Sequence, residues 1–152
     1  MPSYIVTCVE GRLNASEKSK MAEAITRAHG DSTGAPYYFA QVTFNEVKAS
    51  SYFLGGTPLV GDHIFVHGTI RDGRPTEMKQ NLIVRLISDV AIASQMKTNC
   101  VWVYLSELPS GQMVEYGRVL PPHGKEAEWH AAMTEAEKAG LEAIGIRKEV
   151  TG

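Results

Sequence analysis

The feature that most constrains the fold of this chain is an internal repeat with an offset of sixty residues. Its two copies align at three places: Tyr4-Ile5-Val6 on Ile64-Phe65-Val66, Ser16-Glu17 on Thr76-Glu77, and, one inserted residue later, 41–47 on 102–108. Identity between the copies is low, but the pattern recurs in the same order. The sequence therefore predicts two copies of one unit, about 2–60 and 61–120, instead of two unrelated domains.

The first unit has the pattern of a strand, a helix and a second strand. Residues 3–9 form a short β-branched run, and residues 38–47 alternate in polarity, so both are predicted strands. Apolar residues at helical spacing lie between them. The boundaries of this helix are predicted from its capping and breaking residues, which are Asn14 or Ser16 at the start, and Gly30 with Gly34-Ala35-Pro36 at the end.

The second unit repeats this order and is followed by an extension. Residues 62–69 and 100–107 are predicted strands, and Pro75 is expected at the first position of the helix between them, where an N–H would be unpaired anyway. The buried face of this helix is predicted to consist of Leu82, Ile83, Leu86, Ile87 and Val90. A single further helix is predicted over 125–143, within a C-terminal helical extension of about 123–152.

These units predict an α+β fold with one domain over residues 1–152. Each strand–helix–strand crossover should be right-handed and give a parallel pair of strands. Two such pairs side by side form a four-stranded mixed sheet with both helices on one face. The opposite face remains uncovered, and the alternation in the strands suggests apolar side chains there, such as Phe44 or Val103. A symmetric oligomer that buries this face is the economical solution.

Composition and charge argue against several classes of partner. The chain has 15 Lys and Arg against 17 Asp and Glu, so its formal charge of −2 gives no reason to expect nucleic acid or an anionic membrane as partner. Cys8 and Cys100 lie in apolar runs and are expected to be free thiols in a reducing compartment. The N-terminal segment lacks the basic region and the apolar length of a secretion signal. We therefore expect a cytoplasmic protein.

The sequence contains no motif for a cofactor or a metal. A phosphate-binding loop, the glycine pattern of dinucleotide-binding folds, the His-Glu-x-x-His motif and paired Cys-x-x-Cys motifs are all absent. An enzyme with this sequence is therefore expected to use side chains or a chain terminus, with neither metal nor cofactor.

Two arginines lie in the turn between a predicted strand and a predicted helix. Unpaired N–H groups and the dipole at a helix N-terminus favour an anion. The guanidinium groups of Arg71 and Arg74 add planar forks that match a carboxylate. Two solvated arginines in a polar turn would give the same pattern, so the sequence alone leaves both interpretations open.

Pro2 directly follows the initiator methionine. A small second residue normally allows the methionine to be removed, which would leave a secondary amine at the start of the chain. An α-amine has a pKa of roughly 8, close enough to neutrality to act as an acid or a base. The alternative interpretation is that Pro2 only begins the first strand, which is a normal position for proline.

Three further residues have both a functional and a structural interpretation. His29 is expected to end the first helix, where a histidine often only compensates the helix dipole. Tyr104 lies in a strand, where most tyrosines are packing residues. Glu115 lies among Val114 and Tyr116, and partial loss of hydration there would raise its pKa and suit it to accept a proton.

The repeat, together with one set of residues, closely resembles the cis-3-chloroacrylic acid dehalogenases of the tautomerase superfamily. That set consists of Pro2, His29, Arg71, Arg74, Tyr104 and Glu115. Four segments are similar to family sequence as they stand, namely 53–56, 64–68, 102–104 and 113–118. The resemblance runs from Pro2 to about Trp129. It implies a homotrimer in which each chain resembles a fused pair of 4-oxalocrotonate tautomerase subunits.

The resemblance also implies a role for each residue. The substrate carboxylate would be bound by Arg71 and Arg74, with His29 assisting. Glu115 and Tyr104 would position and activate water for attack on the β-carbon of a cis-3-haloacrylate. Protonated Pro2 would deliver a proton to the α-carbon, and the halohydrin would collapse to malonate semialdehyde and halide. Candidates for the substrate wall are Phe39, Leu54 and Leu120.

Two other functions remain open from the sequence. A promiscuous keto–enol tautomerase, for example toward phenylenolpyruvate, would use neutral Pro2 as general base. Glu115 separates these two chemistries, because a carboxylate beside the amine holds it protonated whereas nearby arginines favour the neutral form. A third possibility is an oligomeric protein that binds carboxylates without turnover, which a blocked amine at Pro2 would favour.

Overall fold

The computed structural model describes residues 2–147 of the chain. Its elements in chain order are β1 (Ser3–Val9), α1 (Ala15–Thr33), β2 (Gln41–Val47), β3 (Phe53–Leu54), β4 (Thr57–Pro58), β5 (Ile64–Arg71), α2 (Thr76–Ser94), β6 (Val101–Leu108), β7 (Val114–Glu115), β8 (Arg118–Val119), α3 (Glu126–Ala131) and α4 (Glu135–Glu142). Both repeats therefore have the predicted order of strand, helix and strand. The pairs β3–β4 and β7–β8 form short antiparallel hairpins that follow β2 and β6.

The main sheet is mixed and four-stranded, with the order β2-β1-β5-β6. The outer pairs β1–β2 and β5–β6 are parallel, as a helical crossover requires, and the central pair β1–β5 is antiparallel. The predicted α+β architecture is thus confirmed. The antiparallel centre also brings the start of β1 next to the end of β5, since Ser3 pairs with Thr69.

The hydrophobic core lies between one face of the sheet and the two long helices. Tyr4, Val6 and Cys8 alternate inward from β1, and Ile64 and Val66 do the same from β5, all fully buried. The helices contribute Met21, Ile25, Ala28, Leu82, Leu86 and Val90. Of the two free cysteines, Cys8 is therefore part of this core, whereas Cys100 is only partly buried.

The apolar residues expected on the uncovered face are the wrong ones. Phe44 pairs with Val6 across the ladder and Val103 pairs with Val66, so both lie on the helix side and pack against the core. Residues that pair across a sheet share a face. Because side chains alternate between the two faces, a shift of one residue in register moves each of them to the opposite face. The helix-free face instead presents Ile5, Phe65, Trp102 and Tyr104.

The first helix is longer than predicted and does not end at His29. It continues through Gly30 to Thr33, and Gly34 ends it with a left-handed φ of 77°. Gly30 does not break the helix because it serves packing: a Cβ there would meet the ring of Tyr37. His29 is therefore buried in the last turns of α1 and is not a terminal residue that compensates the helix dipole.

The C-terminal extension contains two helices instead of the single helix predicted over 125–143. The helix α3 stops at Ala131, and α4 begins after Thr134, whose hydroxyl accepts from the backbone N–H of Glu137 while the Glu137 carboxylate accepts from the N–H of Thr134. This reciprocal capping starts a new helix. Pro75 likewise precedes α2 instead of occupying its first position. Among the described helices, none is both long and apolar enough to cross a membrane.

Candidate active site

Pro2 lies at the end of the sheet where β1 begins and β5 ends. Its residue is buried, and its carbonyl accepts a hydrogen bond from the backbone N–H of Gln41 at 3.0 Å. The pairing of Ser3 with Thr69 places Pro2 one residue beyond the last ladder pair, close to Arg71 in the antiparallel direction. The question of Met1 removal lies outside the described residues.

Arg71 is the last residue of β5, and its side chain is only 1% exposed. Its Nη1 donates to the carbonyl of Pro121 at 2.7 Å, and its Nη2 donates to the carboxylate of Glu126 at the start of α3. Both terminal nitrogens are therefore held by residues that follow the second repeat. A guanidinium held at two points has a fixed orientation.

Arg74 lies in the turn that leads into α2 and is 6% exposed. Its Nη1 donates to the backbone carbonyl of Arg71 at 2.6 Å, so the turn itself places the second guanidinium beside the first. Gly73 permits this tight path because it has a left-handed φ of 90°. Burial, and after it the positive charge of Arg71, lower the pKa of Arg74. The two arginines thus form a concentrated positive site.

His29 contacts this end of the sheet from α1. Its Nδ1 lies 2.8 Å from the hydroxyl of Tyr4, and the ring is 1% exposed. Burial and the charge of Arg74 lower the pKa of His29 to about 3, so the imidazole is neutral at physiological pH. Burial also raises the pKa of Tyr4, which keeps its hydroxyl protonated and able to donate to Nδ1.

Three buried nitrogens in this region have no hydrogen-bond partner among the described residues. They are Nε2 of His29, Nε of Arg71 and Nε of Arg74. Buried polar groups are nearly always hydrogen-bonded, so several unpaired ones in one place indicate a site for a solvent molecule or a ligand. Guanidinium nitrogens can only donate, and these groups therefore suit an acceptor that carries negative charge.

A cavity of about 520 Å³ opens beside the two arginines. One part of its wall is aromatic and comes from Tyr38, Phe39 and Trp129, and the α3 segment adds the polar residues His123, Glu126 and His130. This volume falls within the range of small-molecule sites. Pro2 and His29 are not among the described lining residues.

Of the three residues predicted for the substrate wall, one lines the cavity in the structure. Phe39 lines the cavity, and Leu120 is buried directly against it without lining the cavity itself. Leu54 lies on the separate hairpin β3–β4, is 38% exposed, and takes no part in the described wall.

Glu115 lies on the hairpin β7–β8 and is partly buried. The next residue, Tyr116, contacts the cavity wall, because its hydroxyl donates to the carbonyl of Tyr38 and its ring packs edge-on against Phe39 at 5.9 Å. The hairpin that carries Glu115 is therefore attached to the same aromatic wall that closes the cavity.

Tyr104 does not join the other predicted residues within one chain. It lies in the middle of β6 on the helix-free face, is 57% exposed, and packs edge-on against Phe65 with ring centroids 5.0 Å apart. The structure thus brings Arg71, Arg74 and His29 together near Pro2, while Tyr104 points away from the cores of both repeats.

Several residues of this site had no signal in the sequence. The sequence predicted only that Tyr4 lies in a strand, and its contact with His29 depends on how α1 packs on the sheet. Glu126 and Trp129 lie in the extension, far from Arg71 and Phe39 in sequence. An acidic residue in the first turn of a helix is so common that Glu126 could not be singled out.

The described residues contain no group of three or more His, Cys, Asp or Glu side chains that could hold a metal ion.

Comparison with known proteins gives a family and a fold. Residues 1–135 match the protein family described as "Putative oxalocrotonate tautomerase enzyme". A solved structure named N1, a member of the cis-3-chloroacrylic acid dehalogenase family, is 34% identical with a TM-score of 0.90, over 93% of this chain and 99% of that one. The structure of Ps01740 is 26% identical with a TM-score of 0.70, over 74% and 99%.

More distant structures share the fold alone. A fused 4-OT in a symmetric trimer is 23% identical with a TM-score of 0.71, over 78% of this chain and 94% of that one. A fused 4-OT in an asymmetric trimer is 21% identical with a TM-score of 0.72, over 77% and 94%. No curated protein sequence gives a significant match.

Proposed function

Since this chain belongs to the cis-3-chloroacrylic acid dehalogenase family of the tautomerase superfamily, we propose that it hydrates small unsaturated carboxylates without a cofactor. Its substrates on this proposal include cis-3-haloacrylates, and Pro2 is the general acid. The observation that carries the proposal is the group of three buried, unpaired nitrogens on His29, Arg71 and Arg74. One carboxylate can accept from all three, because its two oxygens offer about four acceptor positions.

The arginines serve both binding and chemistry on this proposal. Arg71 and Arg74 bind the substrate carboxylate, and neutral His29 donates from Nε2 because its Nδ1 accepts from Tyr4. As water adds to the β-carbon, negative charge moves toward the carboxylate and gives it enediolate character. Positive groups already oriented at that point stabilise the transition state more than the ground state.

Proton transfer is assigned to Pro2 and Glu115. A free proline amine beside two arginines would tend toward the neutral form, and the carboxylate of Glu115 would restore its protonation. Glu115 also takes a proton from the attacking water, while the protonated amine of Pro2 delivers one to the α-carbon. The resulting 3-halo-3-hydroxypropanoate then loses halide and a proton to give malonate semialdehyde. These steps require that Met1 has been removed, because an amide nitrogen cannot act as an acid.

The role of Tyr104 requires an oligomer. We propose a homotrimer that buries the helix-free face, where Ile5, Trp102 and Tyr104 are 45%, 43% and 57% exposed. Tyr104 of one subunit then assists water at the site of its neighbour. The fused 4-OT structures are trimers of the same fold, which supports this arrangement. On this proposal the whole of 1–152 is one cytoplasmic domain, with no nucleic acid or membrane partner.

Keto–enol tautomerisation of an aryl-substituted acid such as phenylenolpyruvate is the second candidate function. The cavity of about 520 Å³ with Tyr38, Phe39 and Trp129 in its wall favours it, because an aromatic ring would pack there. In that reaction neutral Pro2 takes a proton as general base, and the same arginines bind the carboxylate.

Proton NMR of the purified protein mixed with cis-3-chloroacrylate tests the proposal. Mass spectrometry first establishes that Met1 is absent. We expect malonate semialdehyde or its decarboxylation product, at a rate that Glu115→Gln greatly reduces. Glu128→Gln is the matched control, because this carboxylate pairs with Lys125 at the surface of α3. No conversion of cis-3-chloroacrylate, together with conversion of phenylenolpyruvate, would replace the first function by the second.

A further inference from the structure

The carboxylate of Glu126 occupies one side of the arginine pair. It is bonded to Nη2 of Arg71, and the arginine is 1% exposed while the Glu126 side chain is 40% exposed. With one N–H of Nη1 on the Pro121 carbonyl, Nε is the nitrogen of Arg71 that has no hydrogen-bond partner among the described residues. Partial burial opposes ionisation of Glu126, but the hydrogen bond and charge of Arg71, together with backbone hydrogen bonds, outweigh it and lower the pKa of this carboxyl.

The charges around the site leave an excess of about one positive unit. Arg71 and Arg74 supply two guanidiniums, and Glu126 offsets one of them from inside the protein. Glu107 also acts on Arg74, but it is paired with Lys79 at 2.8 Å. His123 approaches Glu126 at 3.6 Å and adds positive charge only when protonated.

Among the described lining residues, the remaining cavity wall has no Lys or Arg side chain for a second carboxylate. Its other parts include the aromatic rings of Tyr38, Phe39 and Trp129, residues 33–36, and a polar part with His123, Glu126 and His130. A ligand with two carboxylates would place its second charge against apolar rings or in the polar part beside the negative charge of Glu126, and both are unfavourable.

We propose that Glu126 determines substrate specificity by neutralising Arg71 internally, so that the site accepts substrates with one carboxylate and rejects those with two. This inference rests on the proposed function, since it takes the two arginines as the carboxylate ligands. Glu126 is a specificity-determining residue on this view and does not take part in proton transfer.

Direct binding of two matched ligands tests the proposal without requiring turnover. The cis-but-2-enoate and maleate ions share one carbon skeleton and differ by a methyl group against a second carboxylate. Titration calorimetry at a pH where both maleate groups are ionised gives a Kd for each. We expect wild-type protein to bind cis-but-2-enoate more tightly, and Glu126→Gln to shift the ratio toward maleate by about tenfold, the effect of one charge a few ångströms away in a partly wet site.

Two variants in the same helix complete the experiment. Glu128→Gln removes a negative charge that is 72% exposed and paired with Lys125, and it should leave the ratio unchanged. Glu126→Asp keeps the charge and should restore most of the wild-type ratio. Wild-type preference for maleate would overturn the proposal without any variant, and so would a ratio that Glu126→Gln leaves unchanged in folded protein.

Arg74→Ala separates the failure of this inference from failure of the proposed function. If Arg74→Ala abolishes binding of cis-but-2-enoate but Glu126→Gln leaves the ratio unchanged, only the role of Glu126 is wrong. If cis-but-2-enoate binds equally well to Arg74→Ala, the arginines are not the carboxylate ligands, and the proposed function fails with the inference.

Discussion

Mild acid should destabilise this fold through the buried imidazole of His29. Burial and the charge of Arg74 lower the pKa of His29 from 6.5 to about 3. In the unfolded chain the ring takes up a proton near its ordinary pKa, whereas in the folded protein it stays neutral until about pH 3. The unfolded state therefore binds more protons across this window. Once the pH is below the ordinary pKa of histidine, the free energy of unfolding decreases by about 1.4 kcal/mol for each unit by which the pH is lowered.

In the upper part of this pH range the imidazole takes up protons in the unfolded chain, whereas most carboxylates do not yet do so. Glutamates take up protons near 4.5, and hydrogen-bonded ones do so lower still, as for Glu137, whose pKa is lowered to about 2 by the backbone N–H of Thr134 and then by Arg118. Between about pH 6 and 5, His29 should thus account for a loss of ~1 kcal/mol. A domain of ordinary stability, about 5–15 kcal/mol, would stay folded through this range, so the loss is measurable.

The assay is urea unfolding of wild-type protein and His29→Gln at several pH values and one protein concentration, because oligomers gain stability with concentration. Glutamine keeps a polar group near the Tyr4 hydroxyl but does not titrate. We expect the pH dependence to be smaller in this variant by the stated amount. His63→Gln should also reduce the pH dependence, since burial lowers the pKa of that histidine as well. The matched control is His123→Gln, at a side chain that is 46% exposed. Equal slopes for wild-type protein and His29→Gln would refute the argument from burial.

Three further outcomes are expected. Pro2→Ala should abolish turnover and leave the fold and oligomer intact, because the rigid secondary amine is lost; more than about a tenth of the wild-type rate would contradict its role as general acid. Trp102→Lys should produce monomers in light scattering, while Val84→Lys on exposed α2 surface should not; unchanged trimers would exclude burial of the helix-free face. Gly30→Ala should lower the free energy of unfolding by about 1–3 kcal/mol in thermal melts, because its Cβ meets the Tyr37 ring; a neutral result would mean that the ring can move aside.

The repeat predicted the sheet well because it gives both the number of strands and their order relative to the helices. Two strand–helix–strand units require two parallel pairs, and this was correct for β1–β2 and β5–β6. The predicted mixed sheet requires an antiparallel centre between these pairs, and this was also correct. The face of Phe44 was wrong, because the alternation in β2 is visible in sequence but its phase is set by pairing with β1.

The candidate site was predictable where its geometry is local. Arg71 and Arg74 lie in one turn, so their neighbourhood follows from the sequence, and the bond from Arg74 to the Arg71 carbonyl is a property of that turn. Glu126 pairs with Arg71 only because the chain folds back after β8, fifty-five positions later. Tyr104 packs against Phe65 on the helix-free face, so its predicted role depends on the resemblance to the family and not on a local pattern.

A repeated fold offers two equivalent sheet ends, and their residues explain why only one is a candidate site. The offset of the repeat places Asp62 at the position of Pro2, at the opposite end of the sheet. There the carboxylate of Asp62 accepts from Nε of Arg12 at 2.6 Å and from its Nη2 at 3.2 Å. The guanidinium at that end is thus paired within the chain. Among the described residues, the two ends of the sheet therefore differ in how their guanidinium groups are paired, although the backbone order is the same.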